Sequence, residues 1–541
     1  MKLLRTLSAC AAALAASSAL AGPIVDAPSG SVEGKLEGEV RVFEGLPYAL
    51  PPVGPARWMA PVPPTTWSGR RQATDFAPAC VQPVGGPPSI YTDPPAKMSE
   101  DCLFLNVWAP ANAKKAPVIV WIHGGALLGG FGHEAIYDGA AWAKRGVVLV
   151  SINYRLGVLG WLAHPELSAE SPDHISGNYG LLDQIAALKW VKRNIAAFGG
   201  DPANVTIAGE SAGGLSVLYL MASPPARGLF AKAIAESAYM VSMPELRSAK
   251  YGAPSAEAAG QALATKLGKH SIAELRAMDA TTLTVMATLG GFGPQGAVDG
   301  ETLTQMVDTS DAGQQAPVPL LIGFNAGEIR SLRALAPKPP ASAADYEATI
   351  RAHYGDLADA FLKLYPSDNL EESIVATTRD ALYGWTAARA ATKQAAIGQP
   401  SYVYLFDHGY PAADAKGLHA FHGSELPFVF GTTDRTPPAW PKPPADAETA
   451  ALSDAMVGYW TSFAATGRPT AAGAPAWPLW DAGGAYLHFT DTPHAEAQLM
   501  PGMYALEEAV VCRRRAAGGP GWNWNVGLWA PVMAAKAKGC G

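Results

Sequence analysis

The sequence predicts an α/β protein in which a mostly parallel central sheet is flanked by helices and enlarged by helical insertions. Continuous apolar runs at 116–122 and 146–152 are typical of strands buried on both faces of a parallel sheet. An amphipathic helical segment follows at 179–198, and a short strand signal comes after it at 205–208. Strand, helix and strand in this order favour parallel pairing through a helical crossover.

The other elements extend this pattern on both sides. Residues 40–43 predict an edge strand, residues 103–108 predict a second strand, and residues 139–144 predict a short helix between the two apolar runs. Further along the chain, Ala-rich helical stretches alternate with strand signals. The helical stretches are 254–268, 343–365, 370–396 and 449–460, and the strand signals are 318–323 and 402–407.

Length and composition indicate a large globular protein. A chain of 541 residues corresponds to three or four domains of about 150 residues each, but large α/β folds also grow by insertion into one sheet. No internal repeat is visible, and helical signal resumes directly after the Pro-rich segment 436–444. We therefore expect residues 22–541 to form a single domain. With 49% hydrophobic and 16% charged residues, the composition argues against disorder.

Residues 1–21 have the features of a secretory signal peptide. Lys2 and Arg5 precede an Ala/Leu-rich run, which ends in a small-x-small cleavage site. The alternative is a lipoprotein cleavage box that leaves Cys10 lipidated, but the apolar run ahead of Cys10 is short and interrupted by Arg5. No later segment offers the ~20 consecutive apolar residues of a membrane span. We expect a secreted or periplasmic protein.

The charge balance disfavours two classes of partner. Removal of residues 1–21 leaves 38 basic and 47 acidic side chains, a formal charge of −9. Such a surface disfavours binding to nucleic acid and to anionic membranes. The sequence leaves the oligomeric state open.

Four cysteines remain after removal of the signal peptide: Cys80, Cys102, Cys512 and Cys540. An even count in an exported chain predicts disulfides, with three possible connectivities. Because short loops close most readily, we expect Cys80 to pair with Cys102 and Cys512 with Cys540. Buried free thiols are the alternative. A metal site is not expected at either pair, since no histidine lies beside it at ligand spacing.

The strongest chemical signal is the pentapeptide Gly209-Glu-Ser-Ala-Gly213. It follows the strand signal that ends at 208 and precedes a helix-like run that starts at Leu215. A strand, a tight turn with a serine at its tip and a helix form a nucleophile elbow. Both glycines are needed because side chains there would collide with the neighbouring strand and helix. Ser211 is the candidate nucleophile, and the Ala212 amide at the helix start is a candidate oxyanion donor; the alternative is a glycine turn with an idle serine.

A second signal is the run His123-Gly-Gly-Ala126, which directly follows the apolar strand 116–122. Small residues after a strand expose backbone N–H groups, so Gly125 and Ala126 are candidates for the remaining oxyanion donors. His123 is a candidate base by residue type. However, proteins with this elbow have the serine first, then the acid, then the histidine. We therefore interpret His123 as structural.

The acid and the base must follow Ser211 in the chain. Glu328 is the candidate acid, because it lies just beyond an apolar strand signal, where catalytic groups of open α/β sheets collect. The alternative is a surface carboxylate on a loop. Among the histidines after it, His422 stands next to a glycine in a loop that follows the strand signal 402–407. His419 is a competitor on position alone.

Taken together, these motifs resemble the type-B carboxylesterase family, which also contains the cholinesterases. The resemblance covers nearly the whole chain after the signal peptide. It rests on Phe43-Glu-Gly-Leu-Pro-Tyr-Ala, Glu100-Asp-Cys-Leu-Phe-Leu-Asn-Val, Trp121-Ile-His-Gly-Gly, Asn153-Tyr-Arg-Leu-Gly, Asn178-Tyr-Gly-Leu-Leu-Asp-Gln, Phe198-Gly-Gly-Asp-Pro, Gly209-Glu-Ser-Ala-Gly-Gly and His422-Gly-Ser-Glu-Leu-Pro-Phe-Val-Phe-Gly.

The resemblance implies an α/β-hydrolase fold and a bacterial-type secreted serine carboxylesterase that hydrolyses small to medium carboxylic esters through an acyl-enzyme. It implies Ser211 as nucleophile, Glu328 as acid and His422, rather than His419, as base. It also implies a three-donor oxyanion hole of Gly125, Ala126 and Ala212, and a Cys80–Cys102 disulfide beside the active-site gorge. The expected partner is a small-molecule ester, and no metal or organic cofactor is required.

Three residues depart from the family pattern: Ala126, Ile329 and Ala238 stand where glycine is usual. They bear on substrate fit, since no reacting group is lost. Three alternative functions remain open, namely an amidase or peptidase on the same fold, a long-chain lipase, and a non-catalytic binding protein. The natural ester is not indicated, and the segment 512–541, with Trp522, Trp524 and Trp529, matches no family pattern.

Overall fold

The computed structural model describes residues 22–84, 89–523 and 525–540. The predicted signal peptide, with Cys10, and Trp524 lie outside these residues. In chain order the strands are β1 (Ile24–Ala27), β2 (Gly30–Glu33), β3 (Lys35–Glu37), β4 (Val40–Pro47), β5 (Arg70–Gln72), β6 (Ala79–Cys80), β7 (Met98–Ser99), β8 (Phe104–Pro110), β9 (Ala116–Ile122), β10 (Val148–Ile152), β11 (Gly200–Glu210), β12 (Lys232–Glu236), β13 (Leu320–Asn325), β14 (Ser401–Phe406), β15 (Tyr486–Phe489) and β16 (His494–Glu496).

Helices separate these strands and cover the sheet. In chain order they are α1 (Ala140–Lys144), α2 (Gly157–Trp161), α3 (Pro165–Glu170), α4 (Tyr179–Asn194), α5 (Ala212–Ala222), α6 (Ala256–Lys266), α7 (Ile272–Arg276), α8 (Ala280–Leu289), α9 (Met306–Asp311), α10 (Glu328–Ser331), α11 (Ala343–Tyr354), α12 (Ala358–Leu364), α13 (Leu370–Arg379), α14 (Trp385–Ala396), α15 (Pro411–Asp414), α16 (Leu426–Phe430), α17 (Ala447–Thr466) and α18 (Met503–Ala516).

The central sheet confirms the predicted α/β class. Within the described residues it has eleven strands in the order β16-β15-β14-β13-β12-β11-β9-β10-β8-β4-β3. The seven strands from β15 to β10 in this order are parallel, and antiparallel pairs close both ends of the sheet. The predicted edge strand at 40–43 is one place further in, because β3 pairs with the outer side of β4.

Both faces of the sheet are buried, which explains its continuous apolar runs. On β9, Val118 and Val120 pack in one core with residues of α4, α5 and α14, whereas Ile119 and Trp121 pack on the opposite side with residues of α1, α16 and α17. Successive residues of the strand therefore point into opposite cores, and alternate residues share one core. The result is a layer of helices on each side of one sheet.

Two disulfides join the cysteine pairs expected from loop length, Cys80 to Cys102 and Cys512 to Cys540. In the C-terminal segment, Trp522 is fully buried and stacks on Trp385 with ring centroids 4.4 Å apart. This contact attaches the segment to α14. Among the described residues, no helix combines the length and the apolarity needed to cross a membrane.

Candidate active site

Four parallel strands place the candidate catalytic residues at one edge of the sheet. Gly125 follows β9, Ser211 follows β11, Glu328 follows β13, and His422 lies in the loop after β14. These strands are parallel, so their carboxyl ends lie at the same edge, where open α/β sheets place their ligands. Residues up to 297 positions apart in the chain thus belong to one region of the fold.

Ser211 occupies a strained turn between β11 and α5. Its φ is +57°, in the left-handed region that non-glycine residues avoid, and its N–H donates to the Glu236 carbonyl at 2.9 Å. A Cβ at Gly213 would lie 2.0 Å from the Ile122 carbonyl oxygen, and one at Gly209 would lie 2.6 Å from the same atom. Side chains at both glycine positions are therefore excluded by the neighbouring strand.

His422 and Glu328 form a buried pair. Nδ1 of His422 donates to one oxygen of the fully buried Glu328 carboxylate, and the other oxygen accepts the Asn325 N–H at 2.8 Å. The two loops are also joined directly, since the Gly327 N–H donates to the Ala420 carbonyl at 2.8 Å and Asn325 Nδ2 donates to the Phe421 carbonyl at 2.8 Å. These bonds fix the acid against the base.

A second carboxylate, Glu210, lies on the other side of the imidazole. Oε1 of Glu210 is 3.2 Å from His422 Nε2, and the side chain is buried. Ser211 and His422 line the same cavity, but within the described residues no hydrogen bond joins Ser211 Oγ to the imidazole. Such bonds often tighten only when substrate is bound.

Electrostatics favour a charged imidazole at rest. Burial lowers the pKa of His422, but the negative charges of Glu210 and Glu328 outweigh it and raise the pKa to about 9. Burial also raises the pKa of Glu210 to about 7, with the nearby imidazole opposing the shift and Glu328 adding to it. The protonation of His422 therefore depends on the charge of both carboxylates.

The loop after β9 lines the same cavity. Gly125 has φ +102° and Ala126 has φ +57°, and both residues line the cavity. Their N–H groups, and that of Ala212 at the start of α5, donate to no other described residue in the structure. Backbone N–H groups that have no other described partner can stabilise an oxyanion that forms beside a serine.

The two competing histidines have other contacts. His123 is buried and stacks on Tyr154, its Nδ1 donates to the Gly124 carbonyl at 2.9 Å, and burial lowers its pKa to about 4. His419 is 42% exposed and pairs with Asp407 and Asp414, each at 3.0 Å. The structure brings Glu328 to His422 and not to His419 or His123.

A cavity of about 550 Å³ opens above Ser211 and His422. This volume is in the range of small-molecule sites. Several of its lining residues, including Gln82, Tyr91 and Thr92, come from the loop that the Cys80–Cys102 disulfide closes.

Comparison with known proteins identifies the family. Residues 21–505 match the model of the carboxylesterase family. The chain belongs to that family. It is 39% identical over 464 residues to para-nitrobenzyl esterase of Bacillus subtilis, covering 84% of this chain and 92% of that protein. It is 37% identical over 479 residues to fumonisin B1 esterase of Sphingopyxis macrogoltabida, covering 85% of each.

Solved structures agree with the family assignment. The carboxylesterase of Geobacillus stearothermophilus superposes with a TM-score of 0.77 at 34% identity, over 89% of this chain and 99% of that one. A para-nitrobenzyl esterase structure gives 0.76 at 35% identity, over 88% and 97%. The α/β-hydrolase fold is thus confirmed, and the chain is a carboxylic ester hydrolase.

Two side chains in this carboxylesterase site were not predicted from the sequence. Glu210 stands beside the serine in the pentapeptide, and a charged residue inside an otherwise small, apolar turn was the available signal. Tyr383 lies 5.4 Å from the His422 ring on a π-helical turn, Asp380–Gly384, between α13 and α14. Such turns occur often at functional sites, but nothing in a helical sequence pattern marks them.

Proposed function

We propose that this carboxylesterase hydrolyses uncharged carboxylic esters of small to medium size, with Ser211 as nucleophile, His422 as base and Glu328 as the acid that orients it. The buried Glu328–His422 pair beside the cavity that Ser211 lines carries this proposal. A histidine that is held by a carboxylate and lines the same cavity as a strained serine fits the constellation of nucleophilic acyl transfer.

Acylation comes first. Ser211 Oγ forms a bond to the ester carbonyl carbon while His422 Nε2 takes the hydroxyl proton. The carbonyl oxygen becomes an oxyanion, which the amides of Gly125, Ala126 and Ala212 stabilise. The C–O bond to the alcohol then breaks, the alcohol leaves with the proton from His422, and the acyl group stays on Ser211.

Deacylation repeats these steps with water. His422 takes a proton from a water molecule, whose oxygen bonds to the acyl carbon and forms a second oxyanion at the same donors. The bond to Ser211 Oγ breaks, and the serine recovers its proton from His422. One ester and one water yield one carboxylic acid and one alcohol, while Glu328 stabilises the imidazolium in both halves.

The lining of the cavity supports uncharged substrates. Its described residues include no lysine or arginine, and its carboxylates are Glu134 and Glu210. Burial raises the pKa of Glu134 to about 8. An acyl or alcohol group that carries a carboxylate finds no lysine or arginine there, and the one positive charge, on His422, is already paired with Glu328 and Glu210. The name of para-nitrobenzyl esterase makes nitrobenzyl and nitrophenyl esters suitable first substrates.

We also propose that the chain is exported from the cytoplasm. The N-terminal sequence supports a cleaved signal peptide at residues 1–21, with residues 22–541 as one domain. The disulfides Cys80–Cys102 and Cys512–Cys540 support an oxidising destination, such as the periplasm or the exterior.

A matched set of substrates tests the proposal. We expect kcat/KM for a nitrophenyl butyrate to exceed that for the matched nitroanilide and for the hemisuccinate ester, with Ser211→Ala as the background control. A higher rate on the anilide would make the protein an amidase. A preference for the acidic ester would contradict the uncharged substrate class, and activation by an oil–water interface would indicate a lipase.

A further inference from the structure

A second group of histidines and carboxylates lies on the β15–β16 hairpin, away from the residues that line the cavity. His488 on β15 is directly opposite His494 on β16 in this antiparallel pair, so both side chains leave the same face. Glu496 is two residues beyond His494 and lies on that face too. One ligand atom from each of the three side chains lies within 4.8 Å of the other two.

Outer partners already orient both imidazoles. Nε2 of His488 is 3.1 Å from an oxygen of Asp407, which leaves Nδ1 directed at Glu496, 2.9 Å away. Nδ1 of His494 donates to the Thr492 carbonyl at 3.0 Å, which leaves Nε2 as the nitrogen with a free lone pair. Metal-binding histidines have this arrangement, because a bond from one ring nitrogen to a carboxylate or carbonyl fixes the other as the ligand.

We propose that His488, His494 and Glu496 bind a divalent transition-metal ion, with Zn²⁺ as the preferred occupant. Two imidazoles and a carboxylate with a fourth position left to water form a common zinc ligand set. Tetrahedral ligands at about 2.0–2.2 Å from zinc lie about 3.4 Å apart, so small side-chain rotations close the site. His494 and Glu496 are exposed, which gives the ion access from solvent.

Asp407 connects this site to the segment that carries His422. It directly follows β14, its N–H donates to the Phe489 carbonyl at 2.7 Å, and its carboxylate also contacts Nε2 of His419 at 3.0 Å. An ion on the hairpin therefore holds β15 and β16 against the start of the 407–422 loop. Because the ligands come together only in the folded chain, Zn²⁺ binding stabilises the native state. It takes no part in ester hydrolysis.

Zinc titration of the tag-free, full-length protein tests the proposal. After treatment with a chelator and dialysis, calorimetry with ZnCl₂ should give one ion per chain and a higher Tm. His494→Ala and His488→Ala should abolish both effects, Glu496→Gln should weaken binding, and Asp407→Asn should raise Kd about 10–100-fold through the loss of the outer partner. His270→Ala, which removes an exposed histidine elsewhere, should bind as the wild type does.

Two results would overturn the proposal. One is a wild-type protein that binds no more Zn²⁺ than the double variant His488→Ala/His494→Ala. The other is unchanged affinity in both His494→Ala and Glu496→Gln, whose exposed side chains can be replaced without disturbing the core. Thermal unfolding of the metal-free variants, compared with metal-free wild type, verifies that each is folded.

Discussion

Two histidine–carboxylate groups adjoin the carboxyl end of β14, and they differ in burial. His422 is buried between Glu328 and Glu210 beside the cavity, whereas His419, three residues earlier, is 42% exposed between Asp407 and Asp414. Both have the residue types of a catalytic pair. Only the buried pair shares a cavity with a strained serine. A shared cavity with Ser211, rather than pairing with a carboxylate, therefore distinguishes His422 from His419 as the proposed base.

Replacement of each histidine in turn should give the largest difference in activity between the two groups. We expect His422→Ala to lower kcat by roughly 10⁶, the scale on which loss of a triad base is felt. His419→Ala should change kcat by less than about tenfold, because only surface ion pairs are lost. The measurement is kcat on a nitrophenyl ester, with the Tm of both variants as the check on folding. Equal losses in the two variants would contradict the account.

Replacement of the acid has the next largest effect. Glu328→Gln keeps the volume but removes the charge that orients and stabilises the imidazolium, so we expect kcat to fall by about 10⁴. Asp414→Asn is the matched control on the exposed pair and should leave kcat within a few-fold of wild type. Steady-state kinetics at fixed pH measures kcat of both variants. If Asp414→Asn lowered kcat as much as is expected for Glu328→Gln, the assignment of Glu328 as the acid would be contradicted.

The pH profile of activity tests whether Glu210 controls the pKa of His422. In the proposed mechanism only neutral His422 accepts the proton. Since the two carboxylates raise its pKa to about 9, activity should rise with pH, with a midpoint above the ordinary value of about 6.5. Glu210→Gln removes one negative charge and should move that midpoint down by about one pH unit or more.

The readout is kcat/KM between about pH 5 and 10, which spans the ordinary and the raised pKa of the imidazole. His419→Ala should leave the midpoint in place. A midpoint that rises in Glu210→Gln, or does not move, would show that the two carboxylates do not control the base as described.

The smallest expected effect is a change in folding stability caused by a substitution in the strained loop after β9. Ala126 has φ +57°, which costs a non-glycine residue about 1–2 kcal/mol. Glycine relieves this cost but loses about 0.5–1 kcal/mol more entropy on folding. Ala126→Gly should therefore stabilise the fold by about 1 kcal/mol or less, as measured by denaturant unfolding.

A second Ala→Gly change serves as the control. Ala262 is exposed within α6, and its replacement by glycine should destabilise the protein by about 0.8–1 kcal/mol. A loss of stability in Ala126→Gly as large as that in Ala262→Gly would mean that the positive φ carries no cost.

The parts of the fold predicted from sequence are those in which local pattern and tertiary environment agree. β9 coincides with its apolar run, and α4 begins at the predicted Tyr179. β12 was missed because Lys232 and Glu236 bound an Ala/Ile segment and give it a surface-like pattern, although the strand lies in the middle of the sheet. β10 and β11 are parallel as expected, but β9 lies between them, an order that strand spacing does not encode.

The site residues also fall into two classes, those that a local sequence pattern predicts and those that only the packing of the folded chain brings together. The turn at Ser211 could be predicted because it is a local feature. Gly209 and Gly213 lie two residues from the serine on either side, and atoms of the same turn and of the adjacent strand leave no room for a Cβ at either position. His419 and His422 share a loop, and their sequence positions alone do not distinguish them. Glu210 and Tyr383 meet the imidazole through packing of distant elements, which no short sequence pattern records.

Covalent labelling with a fluorophosphonate tests whether Ser211 is the nucleophile, since this reagent bonds to a serine that a neighbouring base has activated. After digestion and mass spectrometry, we expect one adduct per chain, on the peptide that contains Ser211, with complete loss of activity. His422→Ala should be labelled far more slowly than His419→Ala. An adduct on another residue, or full activity in protein labelled at Ser211, would contradict the account.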